Sequence, residues 1–353
     1  MIPKSKITPW LRFFRLPNLP TVPGDVLAGG TLALAVASGG NYGYCDCGTD
    51  NWFYMVKFAI PGLFTTAIIV LFAYMFGLAD NDIVGAGADS TNAPKRPIPA
   101  GEITLTQARI ARTLCLFAPF LCLHAFKLAD LHNVYIAGSL FTLHPSYLYP
   151  AVSALLVFIV LYNRLKNKFR ISGFFLMGLC RGVSLLCGVL AILGSVGFRP
   201  EFVEHKSFRI DFGFVFAVVC AFLGWTLYTA AITWLASDEH KTEEGLDIFR
   251  FIPGMAVFIP LIALRMYPEN TYLPIILCCA FAYLTWARAV APLGGPHTPA
   301  IRRGAVNIAV ASLMWLQMGF VLSLSDIRLT TAFVPLLFAR AAIRYYQPKI
   351  SGS

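Results

Sequence analysis

Charge is what this 353-residue chain has least of. Asp, Glu, Lys and Arg make up 13% of it, against about 25% in an ordinary soluble protein. Apolar residues reach 57% and the mean hydropathy is +0.67. That balance excludes a soluble domain carrying one anchor, because helix-length apolar runs recur from end to end. No run of small residues resembling a cleavage site follows Met1-Ile2-Pro3-Lys4, so the first apolar run is read as part of the protein. Zinc chemistry is also missing. Of nine cysteines, Cys115, Cys122, Cys180, Cys187, Cys220, Cys278 and Cys279 sit in apolar runs as small hydrophobes, and Cys45-Asp46-Cys47 has no His nearby. The net charge of +10 does not point to nucleic acid. Lys and Arg are scattered in short clusters between apolar segments, as the positive-inside bias requires.

Ten spans are expected, near 18–39, 54–79, 106–127, 146–163, 171–196, 212–237, 250–265, 272–291, 303–324 and 329–346. The first is interrupted by Pro20 and Pro23; the seventh is short and carries Pro253 and Pro260. With ten spans, the clusters at Lys4 to Arg15, Lys95 to Arg112, Arg164 to Arg170, Arg302-Arg303 and Arg340 to Lys349 all fall on the cytoplasmic side. The N-terminus and the acidic connectors after spans two and six fall there too. That pair of connectors hints at pseudo-repeated halves, about 1–165 and 166–353, within one transmembrane domain.

Costly polar residues mark the sites. Span two ends in Asp80-Asn81-Asp82 and continues through Gly85, Gly87 and Asp89 to Lys95-Arg96-Pro97. If the helix runs on, Asp82 and Asp89 are seven apart, two turns along one face. Two carboxylates with the Asn81 carbonyl offer the hard oxygens that Mg2+ takes, and Mg2+ in turn neutralises a diphosphate. Arg96 has the planar fork that pairs with phosphate oxygens, and Pro97 and Pro99 stiffen its segment. A solvated loop is the plain alternative. Span six ends in a second acidic run, Asp238, Glu239 and Glu243. If the helix extends that far, Glu239 and Glu243 would share one face, at a repulsive cost of about 0.2–0.5 kcal/mol unless a cation bridges them.

Further bases complete the pattern. Arg15 and Asn18 enter span one; Tyr162 and Lys166 leave span four. Arg181 lies about ten residues inside span five, where a charge needs a partner such as Asp82 or an anionic ligand. The 29 Phe and 14 Tyr supply walls for an isoprenoid tail, although most of them must serve packing and interface belts.

Taken together, Arg15-x-x-Asn18, Asn81-Asp82 running to Arg96-Pro97, Tyr162-x-x-x-Lys166, Arg181 and the acidic end of span six resemble the UbiA-type intramembrane prenyltransferase superfamily. The resemblance covers most of the chain. Gly178-Leu179-Cys180-Arg181-Gly182 and Ile232-Thr233-Trp234-Leu235-Ala236 look nearest to its EboC-like bacterial branch. The family's first motif reads Asn-Asp-x-x-Asp-x-x-x-Asp; here Gly85 stands in place of the middle Asp. The second motif keeps only Asp238, Glu239 and Glu243. The resemblance implies an all-α polytopic bundle of nine, or here ten, transmembrane helices around a central cavity, in the bacterial cytoplasmic membrane. It implies Mg2+ held by Asn81, Asp82, Asp89, Asp238, Glu239 and Glu243, and catalytic roles for Asp82, Asp89, Arg96, Lys166 and Arg181. Arg15, Asn18, Asn81, Lys95 and Tyr162 would help to bind the donor. The expected reaction moves a polyprenyl group from its diphosphate to an aromatic or other electron-rich hydrophobic acceptor, among membrane lipids. An isoprenoid or lipid binder without turnover, and a secondary transporter, are the competing readings.

Overall fold

The computed structural model describes residues 8–37, 48–133, 148–166, 168–196, 212–237, 248–266, 272–295, 297–323, 333–338 and 341. Among these the regular structure is helical. The helices are α1 (Thr8–Phe13), α2 (Thr21–Ala37), α3 (Gly48–Asn92), α4 (Leu105–Asn133), α5 (Leu148–Leu165), α6 (Arg170–Val196), α7 (Phe212–Ala236), α8 (Tyr272–Val290) and α9 (Pro299–Ser323). A 3-10 segment, Ile248–Met266, lies between α7 and α8. Seven helices, α3 to α9, are long and apolar enough to cross a membrane. Over its described residues the protein is an all-helical polytopic membrane protein.

Its outer surface is built for lipid. On α4, Ile110, Leu114, Phe117 and Leu121 recur every three or four residues, and each is more than half exposed. A face of that kind is an aggregation hazard in water and the proper surface of a helix in hydrocarbon. The interior is tighter. α2 is the innermost element, with Val26, Ala28, Leu32, Ala33, Leu34 and Ala35 fully buried. It packs on α6, α3, α9 and α7, and α6 also carries α5, α7 and α3. Small residues permit that approach: a Cβ on Gly29 would strike the Leu185 carbonyl, and one on Gly188 would strike that of Val26.

Three expected spans differ from what forms. The expected bounds of span two are 54–79, yet α3 runs unbroken to Asn92 through Gly85 and Gly87. Tertiary ion pairs hold its polar end in helical form, as described below. The seventh span is a 3-10 segment and not an α-helix, because Pro253 and Pro260 lack the N–H groups that an α-helical ladder needs. Of the tenth, 329–346, residues 333–338 are helical, and most of the rest lies outside the described residues.

Candidate functional site

The continuation of α3 decides the geometry. Asp80, Asn81, Asp82 and Asp89 are all helical, so Asp82 and Asp89 lie on one face, two turns apart. Their oxygens converge on one positive centre: Arg96 Nη1 is 2.5 Å from Asp89 Oδ2 and 3.8 Å from Asp82 Oδ1. Arg15 reaches the same oxygen of Asp82, Nη2 to Oδ1 at 3.0 Å. Asn81 Nδ2 donates to the same oxygen at 3.3 Å, while its own carbonyl accepts a hydrogen bond from Lys166 Nζ. The Lys166 ammonium also sits 5.3 Å from the centre of the Tyr162 ring. Burial lowers the Lys166 pKa, and the neighbouring Arg15 and Arg96 guanidinium groups lower it further. Three bases thus share the oxygens of one helical turn and the next.

Arg15 is held there by an unusual backbone. Its φ of 45° and ψ of 53° are left-handed, the one positive φ outside glycine among the described residues. Such a conformation costs about 1–3 kcal/mol and persists only where its surroundings enforce it. Here Arg15 closes α1 and opens the 3-10 turn Leu16–Asn18, and its carbonyl accepts a hydrogen bond from the Asn18 N–H at 2.9 Å. Asn18 contributes its backbone, whose carbonyl caps Thr21 Oγ1 at 2.8 Å.

Behind these charges lies a cleft of about 660 Å³, counting the space that is open at its mouth. Arg15, Asn81 and Tyr162 lie on its polar wall; Val70, Leu155, Ile159 and Met177 line the apolar part. It offers an anionic head and a greasy tail adjoining places.

Asp80 is not available to a ligand. It is buried and receives Asn163 Nδ2 at 3.0 Å, Arg112 Nη1 at 3.4 Å and Arg164 Nη2 at 3.8 Å. Lys95 is exposed, and its carbonyl accepts from Arg12 Nη2.

The expected Asp82 partner for Arg181 requires correction. Arg181 Nε lies 2.8 Å from Asp25 Oδ2, and Arg181 Nη2 donates to the Thr21 carbonyl at 2.8 Å. Asp25 Oδ1 accepts from Trp225 Nε1 at 2.9 Å and from Gln317 Nε2 at 2.6 Å. Asp25, wholly buried on α2, is a residue that reading the sequence missed. The signal was present: one acid in an apolar run, in a chain with one base deep in another. Arg181 still borders the cleft, with its charge already balanced.

Asp238, Glu239 and Glu243 lie outside the described residues. Among the described residues no three His, Cys, Asp or Glu side chains gather at a point that would hold a metal. The fit of Mg2+ to the first cluster rests on its donor set. Two carboxylates that already share one cationic group, beside an amide oxygen, are hard oxygen ligands of the kind Mg2+ takes.

No family model matches the chain. A stretch of 69 residues, 20% of this chain, is 39% identical to digeranylgeranylglyceryl phosphate synthase of Methanococcus maripaludis, strain C5. The chain covers 24% of that synthase. A solved structure of digeranylgeranylglyceryl phosphate synthase in membranes superimposes with a TM-score of 0.48 at 18% identity, over 89% of this chain and 97% of that one; that is below what defines a shared fold. The matched stretch is similar to a UbiA-type prenyltransferase, the superfamily that the chain's own motifs resemble.

Proposed function

We propose that this protein is an intramembrane prenyltransferase of the UbiA type. It moves a polyprenyl group from its diphosphate to a hydrophobic, electron-rich acceptor. The observation that carries this reading is the convergence of Asp82 and Asp89 on one positive centre, at the mouth of a cleft whose far wall is apolar. The 69-residue likeness to a prenyl-transfer enzyme supports it.

Asp82, Asp89 and the Asn81 carbonyl would hold Mg2+, which when bound supplies charge that stabilises the leaving diphosphate. Asp238, Glu239 and Glu243 are proposed for a second such site on the same membrane face. Arg15 and Arg96 now neutralise the carboxylates, Lys166 donates to the Asn81 carbonyl, and each turns to the oxygens of an incoming diphosphate. Heterolysis of the C–O bond leaves negative charge on the diphosphate, whose oxygens these bases already hold in the bound donor. Val70, Leu155, Ile159 and Met177 take the prenyl tail and keep water from the allylic cation. The cation then alkylates the acceptor, which loses a proton. Arg181 acts in this scheme by holding α2 to α6, and Lys95 through its carbonyl. A cytoplasmic N-terminus, a bacterial membrane and two related halves belong to the same proposal.

Gly85 favours one second reading, a binder of isoprenoid diphosphates that does not turn them over. A Cβ there would lie 3.2 Å from Asp89 Oδ2, so a carboxylate at this position would stand beside the cluster. Purified protein given a labelled allylic diphosphate and Mg2+ separates the two readings. Diphosphate release with transfer to extracted lipid supports the enzyme; saturable binding without release supports the binder.

A further inference from the structure

Two residues outside the cluster tie its halves together. We propose that Arg12 and Glu102 are positioning residues for the donor-diphosphate site: their ion pair clasps α1 to the segment 93–104 and sets both Arg15 and Arg96 on Asp82 Oδ1. This rests on the reading just given.

The segment 93–104 behaves as one rigid piece. The Arg96 N–H donates to the Ala93 carbonyl at 3.0 Å, and the Arg96 carbonyl accepts from Ala100 at 2.9 Å. The N–H groups of Glu102 and Ile103 both donate to the Pro97 carbonyl, at 2.9 and 3.1 Å. Gly101 makes the turn at φ 70°, which a side chain would disfavour. Glu102 and Arg96 therefore move together. Glu102 is the handle and Arg96 the working end.

α1 grips that handle. Arg12 Nη1 lies 2.9 and 3.1 Å from the two oxygens of Glu102, and Arg12 Nη2 donates to the carbonyl of Lys95, next to Arg96. Three residues beyond Arg12, the left-handed Arg15 delivers its guanidinium to Asp82. The same contact is backed by a small apolar core apart from the main one: Phe13, Ala79, Ile103 and Ala108, covered by Trp10, Phe14, Ile83 and Ile98. That core gives α1 its affinity for this end of α3, but it has no directional bond. The ion pair with its carbonyl contact sets the angle at which Arg15 arrives. A chain with the clasp released keeps its fold and presents two loosely aimed bases.

The test compares Glu102→Gln with the wild type in the full-length protein, using a labelled allylic diphosphate with Mg2+. The expected result is a rise of about tenfold in KM for the donor, the low end of what losing a supporting contact costs. kcat and melting temperature should stay near their original values. The swapped pair, Arg12→Glu with Glu102→Arg, should recover part of the lost affinity. An unchanged KM in Glu102→Gln overturns the proposal. So does a fall in melting temperature and kcat with KM unmoved, which marks a merely structural contact. If the wild type releases no diphosphate, the transferase reading fails on its own. Binding of inorganic pyrophosphate with Mg2+ then decides the clasp: weaker binding by Glu102→Gln upholds it, and equal binding ends it.

Discussion

Arg181 on α6 and Asp25 on α2 stand 2.8 Å apart in the middle of the bundle, the base 7% and the acid 0% exposed. Removing one partner of such a pair leaves an unpaired charge and costs about 3–5 kcal/mol, while replacing both with apolar residues is often tolerated. Asp25→Ala should therefore yield little folded protein in detergent. Asp25→Leu with Arg181→Met should restore a monodisperse species with a melting temperature near the original. Thermal unfolding followed by size exclusion reads both.

Arg96 bridges both carboxylates and is placed to meet the phosphate oxygens. Hydrogen bonds to charged groups are worth about 1.5–3 kcal/mol, so Arg96→Ala should raise the donor KM by roughly ten- to a hundredfold. Arg96→Lys should recover only part of that, because an ammonium lacks the fork. Steady-state kinetics in the donor measures the difference.

Lys166 gives a pH dependence with a definite sign. Burial comes first among the causes that hold its pKa below the ordinary lysine value, followed by Arg15 and Arg96. A bound diphosphate favours the charged ammonium and raises that pKa again. Binding should therefore take up a proton at alkaline pH, and affinity should fall as pH rises through the free-state pKa of Lys166. Calorimetry of pyrophosphate binding in two buffers of different ionisation heat reads the uptake, and Lys166→Met should abolish it.

Gly85→Asp should strengthen the metal site. The new side chain starts 3.2 Å from Asp89 Oδ2, a tight approach from which the Asp89 carboxylate must swing away by a few tenths of an ångström. A third acid lowers the Mg2+ concentration needed for half-maximal activity, and without Mg2+ its repulsion lowers the melting temperature. Activity titrated against Mg2+ checks the first point, and paired melts check the second.

Much of this was legible in the residues, for physical reasons. A bilayer demands long apolar runs, so α4 to α9 fall close to where hydropathy puts them. The polar end of α3 was harder, since Asp, Asn and Gly depress helix propensity and read equally well as a loop. What keeps it helical is tertiary: Arg15 and Arg96 on Asp82, and Asn163 and Arg112 on Asp80. Arg96 lies just beyond the helix, but Arg15, Arg112 and Asn163 come from other elements. The same holds for Asp25, whose meaning depends on Trp225, Gln317 and Arg181 arriving from three other helices. The Arg12–Glu102 pair was invisible because a surface base and a surface acid 90 residues apart carry no local signature.

The most direct test of the account replaces Asp82 and Asp89 together with Asn and follows diphosphate release from a labelled allylic donor in the presence of Mg2+. The account predicts a folded protein whose release falls to background while the wild type turns over. Release by the double variant at the wild-type rate would contradict it.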